Sequence, residues 1–143
     1  MSYSLDANIL LYASDASSPH HVSAARFLKD RPKDPDLLCL TWLTLMSYQR
    51  IATHPSIFSD PLSPQSAWSN IANLVNLPRV RLVGEDEDFA KSYADTAAKI
   101  PIRGNLVPDA HLATILKQHG VKRLYSVDTD FRKFDFLEVV NPL

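Results

Sequence analysis

One cysteine, Cys39, is the only thiol among the 143 residues, so no internal disulfide is possible and a reducing compartment suits the chain. It sits in the apolar run "DLLCL", where a small buried hydrophobe is the expected role. No apolar run approaches the roughly 18 residues of a membrane span, and the first residues lack a basic stretch followed by an apolar one. A soluble cytoplasmic protein with no membrane partner is expected. An excess of charge of one sign is also missing, because 15 Lys and Arg against 16 Asp and Glu leave a formal net charge of −1. That balance gives no global basic field, so a polyanion would have to meet a local basic patch or a metal ion. No internal repeat is present, and neither G-x-x-x-x-G-K-[ST] nor G-x-G-x-x-G occurs, which removes support for nucleotide-binding folds.

What the chain does have is ordinary globular chemistry. Hydrophobic content of 45% and charged content of 22% fit one domain over residues 1–143, long enough to bury roughly 70% of its unfolded surface. Five short apolar runs read as strands: Ser2 to Leu5, Leu37 to Leu40, Val80 to Val83, Leu124 to Val127 and Leu137 to Val140. Helical patterns lie between them. "SPHHVSAARFLKD" places Val22, Ala25, Phe27 and Leu28 at helical spacing, with Pro19 in a first turn. "TWLTLMSYQRIATHP" runs from a Thr41 cap and stops before Pro55. "SPQSAWSNIANLVNLP" has Ser63 as cap, Pro64 as first residue and a stripe of Trp68, Ile71, Leu74 and Val75. "EDEDFAKSYADTAAKI" puts acids in its first turn, and "PDAHLATILKQHG" starts at a proline and closes on Gly120. Short strands alternating with helices predict an α/β fold whose parallel sheet is covered on both faces.

In such sheets ligands bind beyond the carboxyl ends of the strands. Aspartates occupy those junctions. Asp6 ends the first apolar run in "SYSLDANILLY", and Asp128 and Asp130 follow the fourth in "RLYSVDTDF", while Asp109 follows Pro108 at the start of a helix. Each has an innocent explanation as a cap, a turn residue or a dipole partner. Together they are different, because two carboxylates about 4 Å apart repel by roughly 4 kcal/mol at an effective dielectric near 20, against ~1 kcal/mol for a cap. If Asp6, Asp109 and Asp128 converge, a divalent cation, a buried Arg or Lys, or bound protons must neutralise them. Oxygen ligands suit Mg²⁺ or Mn²⁺, which would bring the positive centre a phosphodiester needs.

The stretches "LDANILLYASD", "GNLVPDAHLATILKQHG" and "YSVDTDFRKF" resemble PIN-domain ribonucleases, and specifically the VapC-type toxins of toxin–antitoxin modules. The likeness spans nearly the whole chain, with its specific motifs at the two ends. It implies a PIN-like three-layer α/β sandwich with a central parallel sheet of about five strands flanked by helices. It also implies an endoribonuclease that uses Mg²⁺ or Mn²⁺ to hydrolyse structured RNA, a cognate antitoxin that blocks it, and a homodimer. Asp6, Asp109 and Asp128 match the family's first, third and fourth acids as catalytic and metal-binding residues, and Asp130 matches a nearby auxiliary acid. Asn8 matches a polar residue beside the first acid, and Thr129 lies in the turn shaping the last. The family's second acid, usually a Glu on the helix after the second strand, aligns with Ser47. That neutral hydroxyl predicts a weaker or water-bridged metal site, and it leaves an alternative in which the fold has lost its chemistry and binds RNA or protein only.

Arg103 and Arg132, close in sequence to these acids, are the preferred phosphate contacts among the basic residues Arg50, Arg79, Arg81, Arg103, Arg123, Arg132 and Lys133. His20, His21, His54, His111 and His119 form no ligand set by spacing. Trp42, Met46, Tyr48 and Trp68 are expected in the core or at an interface. Two rival enzymes are disfavoured. A haloacid-dehalogenase-like phosphatase would carry its D-x-D on an early strand with more motifs downstream, whereas the chain ends soon after Asp130. A response-regulator receiver would need a mid-chain phosphoacceptor, and the acids after Gly84 read as a helix start.

Overall fold

The computed structural model describes all residues, Met1–Leu143. Five parallel strands form one sheet: β1 (Ser2–Leu5), β2 (Leu37–Leu40), β3 (Val80–Leu82), β4 (Arg123–Tyr125) and β5 (Glu138–Val140), in the spatial order β3-β2-β1-β4-β5. Six α-helices cover it: α1 (Ala7–Ser14), α2 (His21–Lys29), α3 (Trp42–Ala52), α4 (Pro64–Val75), α5 (Phe89–Lys99) and α6 (Leu106–Gln118). The expected α/β sandwich is therefore the observed one. No helix is long and apolar enough to cross a membrane.

Alternation along the strands explains why both faces need helices. Tyr3, Leu5, Leu38 and Leu40 point to one core with Leu10, Leu45, Tyr48, Ile71 and Leu74 of the α1, α3 and α4 layer. Cys39 and Leu124 point to the other, with Ala113, Leu116, Phe131 and Phe134. Cys39 is the buried small hydrophobe its context predicted. Each fully buried Leu, Ile or Phe contributes roughly 1.5–3 kcal/mol, so these two layers fix the sheet and with it the position of its carboxyl edge. Arg31 adds a pin between elements, its guanidinium lying 3.7 Å from the Phe27 ring centroid and 5.4 and 5.8 Å from those of Tyr3 and Tyr125. Burial pushes the Tyr3 phenol up in pKa, against the pull of Arg31 beside it.

Several local expectations shift by a turn. Thr41 and Ser63 cap α3 and α4 as expected, accepting from the amides of Thr44 and Ser66. Pro19 stands outside α2, which begins at His21, and Val22 is 67% exposed while Ala24 takes the buried place. The inward face of α2 is thus set by the small Ala24, which lets the helix lie close to α1. Residues 85–88 precede α5 rather than filling its first turn. Helix α6 starts at Leu106, so Pro108 sits within its first turn, where a missing amide hydrogen does no harm, and Gly120 closes it at φ +68°. Tyr48 is buried, with its hydroxyl 2.7 Å from Ser14 Oγ and accepting from Asn70 Nδ2 at 3.0 Å. Trp42, Met46 and Trp68 are exposed instead, and the two indoles stack at 6.1 Å.

Candidate metal centre

The strand order reverses at β1. Its successor β2 lies on one side and β4 on the other, which makes the carboxyl end of the β1/β4 pair the crevice of this sheet. Register then dictates the neighbours. Ser4 pairs with Leu124 and Leu5 with Tyr125, and the Asp6 amide extends the ladder by donating to the Tyr125 carbonyl at 3.0 Å. Asp6 is thereby set beside Ser126, with Asp128 two residues further on.

Asp6 does two jobs at once. Its Oδ1 accepts the Ala7 amide at 2.7 Å, which caps α1. Its Oδ2 accepts the Ser126 hydroxyl at 2.8 Å and Asn8 Nδ2 at 3.1 Å. Ser126 is buried and was not foreseen as a site residue, yet its Oγ also accepts the Asp128 amide at 3.0 Å and Asn8 Nδ2 at 3.2 Å. That turn ends β4 at Tyr125, short of the expected Val127. Asp128 in turn caps the 3₁₀ turn Thr129–Lys133, its Oδ1 accepting the Asp130 amide at 2.9 Å. The first turn of α6 brings Asp109 to the same place.

Carboxylate oxygens of Asp109, Asp128 and Asp130 lie within 4.8 Å of one another. The tightest triple therefore includes the auxiliary Asp130, while Asp6 stands behind it, joined to Asp128 through Ser126. Desolvation first, and then the charges of Asp128, Asp6 and Asp130, together raise the Asp109 pKa to about 6 against the pull of Lys133. Asp6 is raised as well, by burial first and by Asp128 last, while Ser126 and the Ala7 amide hold it down. Lys133 Nζ lies 3.6 Å from Asp130 Oδ1. Arg103 and Arg132 are exposed and make no ion pair with the acids, and Thr129 is exposed in its turn. Ser47 is half-buried on α3. His111 pairs with Glu85 at 3.0 Å, away from a ligand role.

A cluster of this kind is short of positive charge. Its donors are all hard carboxylate oxygens, the set preferred by Mg²⁺ and Mn²⁺, and the nearby buried Asn8 Oδ1 has no hydrogen-bond donor. Asp109, Asp128 and Asp130, with Asp6, could hold such an ion.

In metal-free protein the cluster weakens the fold. Asp109 binds its proton more tightly folded, at about 6, than unfolded, near 3.9. Stability from this group is accordingly lost as pH rises through that window and the penalty is full above it. Because the side chain is partly exposed, the penalty is discounted to about 1–2 kcal/mol. Urea denaturation in EDTA at pH 7 is expected to find Asp109→Asn more stable than wild type by about that much, with the gap narrowing toward pH 5. A variant less stable at pH 7 would contradict the crowding of these charges.

Fold and site together define a small α/β protein with an acidic cluster at the switch point of a parallel sheet. A match to the PIN domain covers residues 3–137. The chain belongs to the PIN-domain family, within its VapC group. It is 37% identical over 142 residues to Ribonuclease VapC48 of Mycobacterium tuberculosis, covering 99% of this chain and 98% of that protein. It is 32% identical over 131 residues to Ribonuclease VapC37 of the same organism, covering 92% and 90%. Among solved structures, VapBC2 from Rickettsia felis, bound to a DNA fragment from its promoter, superposes with a TM-score of 0.70 at 18% identity, covering 99% of this chain and 98% of that one. VapC20 of Mycobacterium tuberculosis, described as a toxin that cleaves the sarcin-ricin loop, gives 0.68 at 18%, covering 97% and 99%. These structures share the fold.

Proposed function

We propose that the protein is a divalent-metal-dependent endoribonuclease of the VapC toxin type, acting on structured RNA and held in check by a cognate antitoxin. The observation that carries this reading is the gathering of Asp109, Asp128 and Asp130 within 4.8 Å at the switch-point crevice, backed by Asp6. Such an arrangement has no stabilising purpose of its own, since the carboxylates repel. The relatives named as VapC ribonucleases and the VapBC complex of like fold support the activity and the partner. A homodimer and a cytoplasmic location complete the reading, with exposed Trp42, Met46 and Trp68 supplying apolar surface for protein contact.

Asp6, Asp109 and Asp128, with Asp130 beside them, would hold Mg²⁺ or Mn²⁺. When bound, the ion supplies a more acidic water and offsets charge on the phosphoryl oxygens. The rest falls to the chain. Ser126 and Asn8 orient Asp6, and Ser126 fixes the Asp128 backbone, so two acids from neighbouring strands far apart in the chain keep one spacing. Asp109 would have to be deprotonated to hold an ion, so metal affinity is expected to rise with pH through the region of about 6. Lys133 offers a cation to the RNA backbone on the Asp130 side. The reaction is hydrolysis, in which the oxygen of water joins phosphorus as the bond to the 3′ oxygen breaks.

Ser47 stands where the family usually has Glu, so an ion held by the aspartates would lack that carboxylate, with water or the Ser47 hydroxyl the donors left in its place. Ser47→Glu is expected to tighten Mn²⁺ binding by about 10-fold or more, since each added carboxylate raises the site's charge. Isothermal titration would read it, and unchanged affinity would place Ser47 away from the ion. The function itself is tested by incubating the purified protein with total RNA, with and without Mg²⁺, beside Asp6→Asn. Discrete cleavage that needs both Mg²⁺ and Asp6 is expected. RNA binding indifferent to EDTA, with no cleavage, would favour the reading in which the fold is a binding module only.

A further inference from the structure

A second cleft adjoins the acid cluster. It is lined by Thr96, Lys99 and Ile100 at the end of α5 and by Lys133, Asp135 and Phe136 after the 3₁₀ turn, and its volume is about 140 Å³. Lys133 is the shared wall, because its ammonium also lies 3.6 Å from Asp130. A third ammonium, that of Lys117, stands 5.0 Å from the Phe136 ring centroid. Two lysines and one aspartate, Asp135, line the cleft around the Phe136 ring, with Lys117 at its margin and Asp130 beyond Lys133. Drug-sized ligands take pockets of roughly 300–1,000 Å³, so this cleft suits one base or one phosphate of a longer chain.

We propose that this cleft is a nucleotide subsite, in which Lys99 and Lys133 take a phosphate of the single-stranded RNA flanking the cleavage position and Phe136 packs against a base. The inference rests on the ribonuclease reading above. Ammonium groups beside an aromatic ring are the combination that grips single strands without regard to sequence. Asp135 and the carboxyl end of α5 oppose a phosphate here, which makes Lys99, exposed and in no ion pair, the residue whose charge matters most. The position also has a consequence for catalysis. A strand anchored here runs past Asp130 and lays its next phosphodiester across Asp109 and Asp128.

Fluorescence anisotropy with a labelled single-stranded oligoribonucleotide, in EDTA so that nothing is cut, tests the assignment. Lys99→Ala and Phe136→Leu are each expected to weaken binding about 10-fold, and Lys99→Ala to lower the slope of log affinity against log salt by about 1. Lys91→Ala removes the same charge from α5 outside the cleft and is expected to change affinity much less. Mn²⁺ titration of Lys99→Ala should match wild type. Full RNA affinity in both cleft variants, or equal losses in Lys91→Ala and Lys99→Ala, overturns the subsite and leaves the nuclease standing. A wild type that neither binds nor cleaves RNA overturns the nuclease reading and the subsite with it.

Discussion

Asp109→Asn is expected to lower Mg²⁺-dependent RNA cleavage by about 10³-fold or more. Stabilisation of transition-state charge by a bound ion amounts to several kcal/mol, and each 1.36 kcal/mol is tenfold in rate. Burial, and after it the charges of Asp128, Asp6 and Asp130, raise the Asp109 pKa to about 6, so Asp109 lies within the fields of all three. Asparagine keeps the size and one oxygen but gives up the charge. The two halves of the expectation point opposite ways, because the same substitution stabilises metal-free protein at pH 7. Loss of activity in a more stable variant cannot be ascribed to unfolding. Single-turnover cleavage beside urea denaturation checks both, and an active variant would remove Asp109 from the machinery.

Ser126→Ala is the second large effect. One buried hydroxyl donates to Asp6 at 2.8 Å and accepts the Asp128 amide at 3.0 Å. Its removal leaves Asp6 Oδ2 with Asn8 alone and the Asp128 amide unpaired. Burying an unsatisfied group costs about 1–3 kcal/mol, and losing the groups that orient metal ligands lowers affinity or activity about 10–100-fold. Thr in place of Ala keeps the hydroxyl and should restore most of the cleavage. Rescue by Ser126→Thr separates the hydrogen bonds from packing, and equal loss in both variants would assign the effect to packing instead. Calorimetric Mn²⁺ affinities for the pair supply a readout independent of cleavage.

The acids were legible because a carboxylate at the end of an apolar strand is conspicuous, and the rule that ligands gather at the carboxyl edge of a parallel sheet links Asp6 to Asp128 without coordinates. Ser126 was not. A serine among apolar residues carries no signal until the β1/β4 register sets it against Asp6, a contact between residues 120 apart in the chain. The same limit applies to Lys133. Adjacent to Arg132 in sequence, it is the cation that meets Asp130, because the 3₁₀ turn directs each residue differently and sequence proximity does not encode direction. Helix existence followed from apolar spacing and from the Thr41 and Ser63 caps. Which residue faced inward was less visible: Val22 and Trp68 are exposed while the smaller Ala24 and Ala67 are buried, since close approach of helices favours small side chains over the most hydrophobic ones.

Direct observation of the ion decides most. Electron paramagnetic resonance of Mn²⁺ titrated into the wild-type protein at pH 7.5 should show the free-ion signal suppressed until the site fills, with suppression abolished in Asp109→Asn and unchanged in Lys99→Ala. A signal unchanged by wild-type protein, or suppressed equally by Asp109→Asn, would mean that these carboxylates converge for some purpose other than seating a cation.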